Sequence, residues 1–418
     1  MRVLLLSQFF DPEPTLKGLA FAKALRDRGC EVEVLTGFPN YPGGKVYEGY
    51  RLRGYMREEM DGIPVHRVYL YPSHDQSARK RALNYGSFAL SAAANLWRVR
   101  RPDVAYVHHP PATIGLPAAW IRALRGVPFV YEVQDLWPDT LAATGMMGNP
   151  RLLAMIGRAM ARTYRRAARI VVISEGFRRR LVERGVPEAK IDVLMNWAEE
   201  GRLVVSERDP ALARELGIDA PFLVMFAGTM GLAQALDPVL DAAGLVAARN
   251  PDVVFALVGG GVEVERLRAR VEAEGIANVR FVGRQPMERM GAILPLADAL
   301  LVHLRDDPLF AITVPSKTQA YLSAGVPIVM AVRGDAADLV ERAGAGMLAE
   351  PENPESIAAA VLHLAGRSTE DRAEMGARGR EFYRSELSLS VGADRYVEIL
   401  RRAMAEGRAK SRKVAGKG

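Results

Sequence analysis

Short, almost uninterrupted apolar runs alternate with helical patterns along the chain, and the alternation forms two separate series. Runs of this kind are typical of strands that helices cover on both faces of a parallel sheet. Between the first two runs, a helix carries Leu16, Leu19 and Leu25 on one face and completes a strand–helix–strand unit. The predicted strands are 3–6, 32–35, 65–68, 104–107, 129–133 and 170–173 in the first series, and 223–226, 253–258, 279–282, 299–302 and 328–331 in the second. The repetition predicts an α/β fold with open, doubly wound sheets.

The length of 418 residues is too great for a single hydrophobic core, so the two series predict two Rossmann-like domains facing a central cleft. A polar stretch that contains Pro210 and ends beside Pro221 is the predicted linker. Beyond the second series, helices are expected at about 354–365 and 370–381, and the tail from Lys410 is expected to be disordered. The predicted organisation is a first domain over 1–198, a linker over 199–220, a second domain over 221–377, a helix over 378–407 that crosses back to the first domain, and a basic tail over 408–418.

Composition excludes several classes of protein. The single cysteine, Cys30, rules out an intramolecular disulfide and a cysteine-rich metal site. The apolar run near Met1 ends at Ser7, too early for a signal peptide, and no run is long enough to span a membrane, so we expect a cytoplasmic protein. A formal net charge of +7 favours anionic partners. No zinc-finger or RRM pattern is present, so a membrane surface or a phosphorylated small molecule is expected and nucleic acid is not.

The loops that follow the predicted strands are the places where ligands bind in open α/β sheets. The first loop, 7–14, lacks the G-x-G-x-x-G pattern, so a nicotinamide cofactor is not expected. The first loop of the second series places two glycines three residues apart between a strand and a helix, where backbone N–H groups can approach a diphosphate. A tight turn that needs glycine for its backbone is the alternative. The candidate donor-binding residues of this loop are Gly228, Thr229, Met230, Gly231 and Gln234.

Three further loops of the second series offer donor-binding groups. Gly260 lies in a triple glycine that is either a ligand loop or a flexible turn, and Arg284 is either a phosphate ligand or a surface arginine. Ser316 and Lys317 follow a proline at a predicted helix start. A lysine in the first turn of a helix is disfavoured by the helix dipole, so Lys317 is predicted to neutralise a leaving diphosphate.

In the first series, Glu132 and Asp135 end a strand and alternate with apolar residues. Either carboxylate could line a cleft and serve as a base, and Asp135 could instead cap a helix. The adjacent His108 and His109 point in different directions on an extended chain, so a metal site is not expected there.

Two basic segments also carry apolar residues. Arg79, Lys80 and Arg81 precede an apolar run that ends at Trp97, and five arginines between 158 and 169 stud an otherwise apolar helix. Such segments suit an anionic membrane surface, while an ordinary helix with one solvated basic face is the alternative.

Together these residues resemble the GT-B-fold glycosyltransferases of family 4, particularly the WbuB-like and colanic-acid-type enzymes of surface-polysaccharide assembly. The strings Phe-Pro-Asn-Tyr-Pro-Gly-Gly at 38–44 and Asp-Leu-Trp-Pro at 135–138 are the most specific part of the resemblance. The other matching segments, which run in order along nearly the whole chain, are 8–13, 36–37, 132–134, 173–177, 196–197, 227–234 and 315–317 with Tyr321.

The resemblance implies a retaining transfer from a nucleotide-sugar, most simply a UDP-sugar, bound by the second domain. It implies no metal and no other cofactor, because basic side chains and helix termini stabilise the leaving diphosphate. The acceptor would be a saccharide or a polyprenyl-diphosphate-linked sugar, and the enzyme would be peripheral at the inner face of the cell membrane. The residues implied are Asp135, Glu132 and Lys317 for catalysis, Ser316, Lys317 and Gln319 with the loops above for the donor, and Gln8, Gly18, Asn40 and His109 for the acceptor.

The chain departs from the family pattern in one respect. Many members carry two glutamates in the spacing E-x7-E near the donor, and alignment on 324–327 places Ile312 and Ala320 at those positions. Two other readings therefore remain: a non-catalytic nucleotide-sugar-binding scaffold of a polysaccharide complex, and a GT-B-fold sugar-nucleotide epimerase. The epimerase would need converging acid and base groups, for which the second half offers only His303 and His363 as histidines.

Overall fold

The computed structural model describes residues 1–73, 77–143 and 146–415 of the chain. The chain divides into two compact units. The first unit comprises Met1–Met195 together with Gly392–Gly418, and the second comprises Asn196–Val391. The chain therefore passes between the units twice, near residues 195 and 391.

The first unit contains an eight-stranded sheet in the order β3-β4-β2-β1-β5-β6-β7-β8, in which only the β3–β4 pair is antiparallel. Its strands are β1 (Arg2–Leu6), β2 (Glu31–Gly37), β3 (Tyr55–Met60), β4 (Ile63–Val68), β5 (Val104–His109), β6 (Phe129–Val133), β7 (Arg169–Val172) and β8 (Ile191–Val193). Its first helices are α1 (Leu19–Arg26), α2 (Ala78–Asn95), α3 (Gly115–Arg125), α4 (Asp139–Ala143), α5 (Pro150–Arg166) and α6 (Glu175–Glu183). The central strands are buried on both faces, as their unbroken apolar runs require.

The second unit contains a six-stranded parallel sheet in the order β11-β10-β9-β12-β13-β14. Its strands are β9 (Phe222–Thr229), β10 (Val253–Gly260), β11 (Val279–Val282), β12 (Ala299–His303), β13 (Ile328–Ala331) and β14 (Gly346–Leu348). Its helices are α7 (Pro210–Glu215), α8 (Asp237–Ala247), α9 (Val264–Glu274), α10 (Met287–Ile293), α11 (Ser316–Ala324), α12 (Asp335–Ala343), α13 (Pro354–Ala365) and α14 (Thr369–Phe382). Apolar side chains of β9, β10, α8 and α13 form one continuous core.

The chain ends in a long helix, α15 (Leu389–Ala415), whose residues from Gly392 belong to the first unit. The predicted single helix from 378 is wrong, because α14 ends at Phe382 and a π-helical turn over Tyr383–Leu387 precedes α15. The tail expected to be disordered from Lys410 is helical to Ala415, and residues 416–418 lie outside the described residues. None of the described helices combines the length and apolar character needed to cross a membrane.

All eleven predicted strands are present, and three further strands were missed. Strand β3 lies at an exposed sheet edge and contains Arg57, Glu58 and Glu59, so its sequence does not stand out as apolar. Strands β8 and β14 have three residues each, which is too short for a periodic pattern. The predicted linker contains the short helix α7, which begins at Pro210 and is capped by the side chain of Asp209.

Helix α14 packs closely on α11 at Gly376, where a Cβ atom would lie 2.0 Å from the carbonyl oxygen of Gly325. Gly376→Ala is therefore expected to separate the two helices at a cost of about 1–3 kcal/mol. Thermal unfolding should show a lower midpoint for the second unit.

Gly366→Ala is the matched control, because its Cβ would meet no atom closer than 3.5 Å and its backbone is right-handed helical. This variant should be neutral or more stable by at most ~1 kcal/mol. Equal midpoints for the two variants would contradict the packing described for Gly376.

Candidate active site

Two glycine-containing turns lie side by side at the carboxyl edge of the second sheet. Strands β9 and β10 are paired in register as far as Gly228 opposite Gly259 and Thr229 opposite Gly260. Gly228 and Gly259 have φ angles of +141° and +136°, which residues other than glycine rarely adopt. A Cβ on Gly259 would also lie 2.0 Å from the carbonyl oxygen of Gly228. The glycines are therefore required by backbone packing, whatever the turns bind.

The ammonium group of Lys317 lies next to this pair of turns. Its Nζ atom is 3.5 Å from the ring centroid of Phe226 and would be 3.3 Å from a Cβ on Gly228. The atom is inaccessible to solvent and has no hydrogen-bond partner among the described residues. Burial lowers the pKa of Lys317 to about 7. A buried cation with three unused donors marks a place where an anion fits.

Helix α11 holds Lys317 in this position. Pro315 precedes the helix, and one turn after Lys317 the hydroxyl of Tyr321 accepts a hydrogen bond from the Ala227 N–H at 2.8 Å and donates one to the Ala227 carbonyl at 3.2 Å. Tyr321 is fully buried, so the start of α11 is fixed to the end of β9. The Ser316 hydroxyl, at the first position of α11, is exposed beside this junction.

Three of the predicted donor residues have structural roles that the sequence did not reveal. Met230 is buried in the core of the unit, so only its backbone could meet a ligand. The Gln234 side chain accepts a hydrogen bond from the Gly231 N–H at 3.0 Å and closes the turn. The buried amide of Gln319 donates to the carbonyls of Pro315 and Ser316, both at 3.0 Å, and braces the start of α11.

The remaining predicted donor residues are open to ligand. Thr229 is exposed at the end of β9, and the exposed Arg284 extends over Gly260, where a Cβ would lie 2.6 Å from its Nε atom. Arg284 therefore lies beside Gly260, while the ammonium of Lys317 lies beside Gly228 on the neighbouring strand.

His303 is not available for acid–base chemistry. Its Nδ1 atom is 2.7 Å from the carbonyl oxygen of Gln234, and its Nε2 atom accepts the Glu352 N–H at 3.0 Å. Burial lowers the pKa of this histidine, so it is neutral and serves as a structural brace. His363 is exposed on α13. The histidines therefore do not form the converging pair that the epimerase reading needs.

In the first unit, Glu132 does not line a surface as expected but is fully buried. Its carboxylate accepts hydrogen bonds from the hydroxyls of Tyr106 and Tyr396, and its Oε1 atom is 3.5 Å from the ammonium of Lys17. Burial alone raises the pKa of this carboxyl group, but the charge of Lys17 and a hydrogen bond from His108 outweigh burial and hold the pKa well below its usual range. Glu132 is a buried anion and cannot act as a base on substrate.

His109 is a predicted acceptor ligand, but its side chain is not at the surface. His109 is fully buried edge-on to Trp137, and burial lowers its pKa to about 3. Its neighbour His108 is not one of the predicted acceptor residues. It lines a cavity and places Nδ1 2.7 Å from the Glu132 carboxylate. Alternation of side chains along β5 separates the two histidines, but the sequence alone did not say which one faces the cavity.

The cavity has a volume of about 330 Å³ and lies above the carboxyl ends of the central strands of the first sheet. Asn40, Asn84 and Tyr85 line it with His108. Gln8 does not line the cavity but supports it from behind, because its amide nitrogen donates to the Oδ1 atom of Asn84 at 2.5 Å.

Gly18 and Asp135 are the two remaining predicted site residues of the first unit. Gly18 has no room for a Cβ, which would lie 2.0 Å from the Oδ2 atom of Asp11. That oxygen accepts the Leu19 N–H at 2.6 Å, so a carboxylate already occupies the start of α1. Asp135 is not a helix cap, since α4 begins at Asp139. Its carboxyl group makes no hydrogen bond among the described residues, and burial raises its pKa.

Comparison with known proteins decides the family. A glycosyl transferase 4-like domain matches residues 19–197, and the group 1 glycosyl transferases match residues 209–382, so the two together account for most of the chain. The chain belongs to the family 4 type of glycosyltransferases. It is similar to a protein of Escherichia coli K12 named as a colanic acid biosynthesis glycosyl transferase, WcaI, with 29% identity over 86% of this chain and 91% of that protein. It is also 28% identical to 2-deoxystreptamine N-acetyl-D-glucosaminyltransferase of Streptomyces fradiae, over 90% of each chain.

Solved structures confirm the GT-B fold of this glycosyltransferase. Sucrose-phosphate synthase of Thermosynechococcus elongatus matches 97% of this chain and 99% of its own with a TM-score of 0.72 at 15% identity. HepE of Anabaena, in complex with UDP and glucose, matches 96% of this chain and 99% of its own with a TM-score of 0.67 at 18% identity. Among the described residues, no group of three or more His, Cys, Asp or Glu side chains is arranged to hold a metal ion.

The Lys17–Glu132 pair can be tested by removing one charge. Glu132→Gln leaves the buried ammonium of Lys17 without its carboxylate partner and should lower the free energy of unfolding of the first unit by about 3–5 kcal/mol. Adding Lys17→Met should recover most of that loss. Denaturant unfolding of the single and double variants measures both effects.

Asp394→Asn serves as the matched control, because it breaks an exposed ion pair with Arg28. Such a pair contributes at most ~1 kcal/mol. A Glu132→Gln variant no less stable than the control would contradict the assignment of Glu132 as a buried anion.

Proposed function

We propose that this glycosyltransferase transfers a sugar from a UDP-sugar, with retention of configuration, to a saccharide or polyprenyl-diphosphate-linked acceptor in surface-polysaccharide assembly. The observation that carries the donor part of this proposal is the buried ammonium of Lys317, which has no hydrogen-bond partner among the described residues and lies beside the Gly228 turn. Negative charge grows on the diphosphate as the glycosidic bond breaks. A cation fixed at that point stabilises the transition state more than the ground state.

The surroundings of Lys317 supply what a nucleoside diphosphate needs. The Gly228 turn brings its backbone next to the Lys317 ammonium, and Ser316 adds a hydroxyl at the start of α11. The N–H groups in the first turn of α11 favour an anion through the helix dipole. These groups give a diphosphate charge compensation without a metal ion, so we propose that none is required.

The names of related proteins support the choice of donor and pathway. HepE was solved with UDP and with UDP-glucose, and a trehalose-6-phosphate protein of Escherichia coli was solved with UDP-2-fluoro glucose. WaaG, another structural neighbour, is involved in lipopolysaccharide biosynthesis, and WcaI is named for colanic acid. The scaffold alternative rests on Ile312 and Ala320, which stand where many family members carry glutamates. Sugar transfer by the purified chain would exclude it.

For the acceptor we propose the cavity of the first unit that is lined by Asn40, Asn84, Tyr85 and His108. The carboxylate of Glu132 orients the His108 ring through Nδ1, which leaves Nε2 for a ligand. The raised pKa of Asp135 suits a carboxyl group that exchanges a proton with an acceptor hydroxyl.

We further propose that the first unit docks on an anionic membrane through α2. Leu83, Leu90 and Trp97 follow one another at intervals of seven residues, and their exposed fractions are 56%, 63% and 69%. A spacing of seven places Leu83 and Leu90 along one side of α2, and Trp97 lies in the 3-10 turn over Leu96–Arg98 that follows the helix. The exposed Arg79 lies at the start of the same helix, and basic groups beside exposed apolar ones suit a surface of anionic lipid.

The donor site predicts a specific dependence of UDP affinity on pH. Lys317 is protonated below its pKa of about 7 and neutral above it, so at higher pH this lysine must take up a proton from solvent when UDP binds. Affinity should therefore fall by up to about tenfold for each pH unit above 7. Calorimetric titration with UDP at several pH values measures the slope.

Two variants separate this effect from the titration of UDP itself. Lys317→Arg keeps its charge at every pH and should bind UDP with no such slope, while Lys317→Ala should bind about 10- to 100-fold more weakly. A wild-type slope equal to that of Lys317→Arg, or unchanged affinity in Lys317→Ala, would rule out the proposed role of Lys317.

Membrane docking predicts that Leu90→Ser with Trp97→Ser weakens binding to vesicles of phosphatidylcholine and phosphatidylglycerol at least about tenfold, since burial of each side chain contributes roughly 1.5–3 kcal/mol. Sedimentation with vesicles measures the bound fraction. Val262→Ser is the control, because Val262 is an exposed apolar residue of the second unit. Equal binding by all three proteins, or no binding by the wild type, would contradict docking through α2.

A further inference from the structure

A second, larger cavity of about 700 Å³ opens in the second unit, away from Lys317. Among the residues that line it, Asp298 directly precedes β12 and Pro327 directly precedes β13. The cavity therefore lies at the amino edge of the sheet, opposite the carboxyl edge where the Gly228 turn and Lys317 are found. The donor site does not account for it.

Four arginines line this cavity: Arg208, Arg372, Arg380 and Arg384. Two of them share one carboxylate, because Arg208 contacts Asp298 at 3.0 Å and Arg372 lies 3.7 Å from the same side chain. Asp298 also accepts the Leu223 N–H at 2.9 Å, so its charge is fully engaged by protein groups.

The other two arginines have no carboxylate partner among the residues that the structure describes. The Nη2 atom of Arg380 donates to the carbonyl oxygen of Ala324 at 2.6 Å, while its Nε atom is buried without a hydrogen bond. The guanidinium group of Arg384 makes neither an ion pair nor a hydrogen bond within the described part of the chain. Arg380 and Arg384 are four residues apart, so their side chains project from the same side of the helical segment.

Two further acidic residues line the cavity, Glu200 and the exposed Glu207, and the first of them is already engaged by protein groups. The Oε1 atom of Glu200 accepts hydrogen bonds from the Tyr383 hydroxyl at 2.6 Å and from the Leu389 N–H at 2.8 Å. Hydroxyl groups of Ser206, Thr369 and Ser388 also line the cavity and could bind the hydroxyls of a ligand. The cavity thus combines two guanidinium groups that lack a carboxylate partner among the described residues with hydroxyl groups, one exposed carboxylate and a volume that holds a small organic molecule.

We propose that this cavity binds a phosphorylated small molecule, with Arg380 and Arg384 contacting the phosphate. Guanidinium groups offer paired donors in a planar array that matches phosphate oxygens. Glu200 and Ser388, from the first and the last part of the second unit, both line the cavity.

The test uses the full chain carrying Lys317→Ala, so that the donor site is weakened, and inorganic pyrophosphate as the probe in calorimetric titration. A saturable site should remain, and adding Arg384→Gln should raise its dissociation constant at least about tenfold through loss of a charged hydrogen bond. Arg384 is exposed and has no partner to lose, so the substitution should not impair folding. No saturable binding, or an unchanged constant after Arg384→Gln, would overturn the proposal.

Arg249→Gln is the matched control, since it removes the same charge from an exposed position elsewhere in the second unit and should leave pyrophosphate binding unchanged. Arg384→Gln in the otherwise unaltered chain should leave UDP affinity unchanged, which separates this cavity from the donor site. Competition by UMP or by glucose 6-phosphate then distinguishes a nucleotide from a sugar phosphate as the natural ligand class. If neither displaces pyrophosphate, a phosphate ester is not the ligand.

Discussion

A buried ammonium group that has no carboxylate partner in the described part of the chain is the constraint on which the candidate donor site depends. Desolvating a cation is costly, and the chain tolerates this cost only because β9 and α11 hold Lys317 between a ring and a backbone turn. The Tyr321 hydroxyl, bound to both polar groups of Ala227, keeps that junction closed. Burial of Lys317 lowers the stability of this part of the second unit, and we expect a bound anion to offset that cost.

The first unit treats its buried charges in the opposite way. There Lys17 and Glu132 face each other, and two tyrosines and a histidine take the remaining capacity of the carboxylate. A group satisfied on every side has a structural role, however active its residue type. Lys317 and Glu132 thus differ in the number of hydrogen-bonding positions that the described residues leave unused, and this difference supports the proposal that Lys317 binds a ligand.

Most of the fold was predictable because buried parallel strands carry an unambiguous apolar pattern. The structure differs from the predicted one at the edges of the two sheets, where β3 is charged and β8 and β14 have only three residues each. The place of Lys317 in the first turn of a helix was predictable for a similar reason, since proline ahead of a polar pair is a local signal of a helix start.

The remaining site residues depend on contacts that are distant in sequence. Nothing in the local sequence distinguishes His108 from His109. Which of the two faces the cavity depends on which side of the sheet each residue of β5 points to, and the sequence does not show this. Met230 and Gln319 were assigned to the donor because they lie inside the right segments, yet their side chains point into the core and along the helix. Glu132 was misjudged because Lys17 and Tyr396, which surround it, lie more than a hundred residues away in either direction.

The hydroxyl that Tyr396 gives to Glu132 has a consequence for the order in which the protein is made. Tyr396 belongs to the segment from Gly392 onward, whereas the rest of the first unit ends at Met195. During synthesis the whole second unit must leave the ribosome before this hydroxyl exists. Until then the Glu132 carboxylate lacks one hydrogen-bond donor. The first unit is therefore complete only after the segment from Gly392 onward has been synthesised and packed against it.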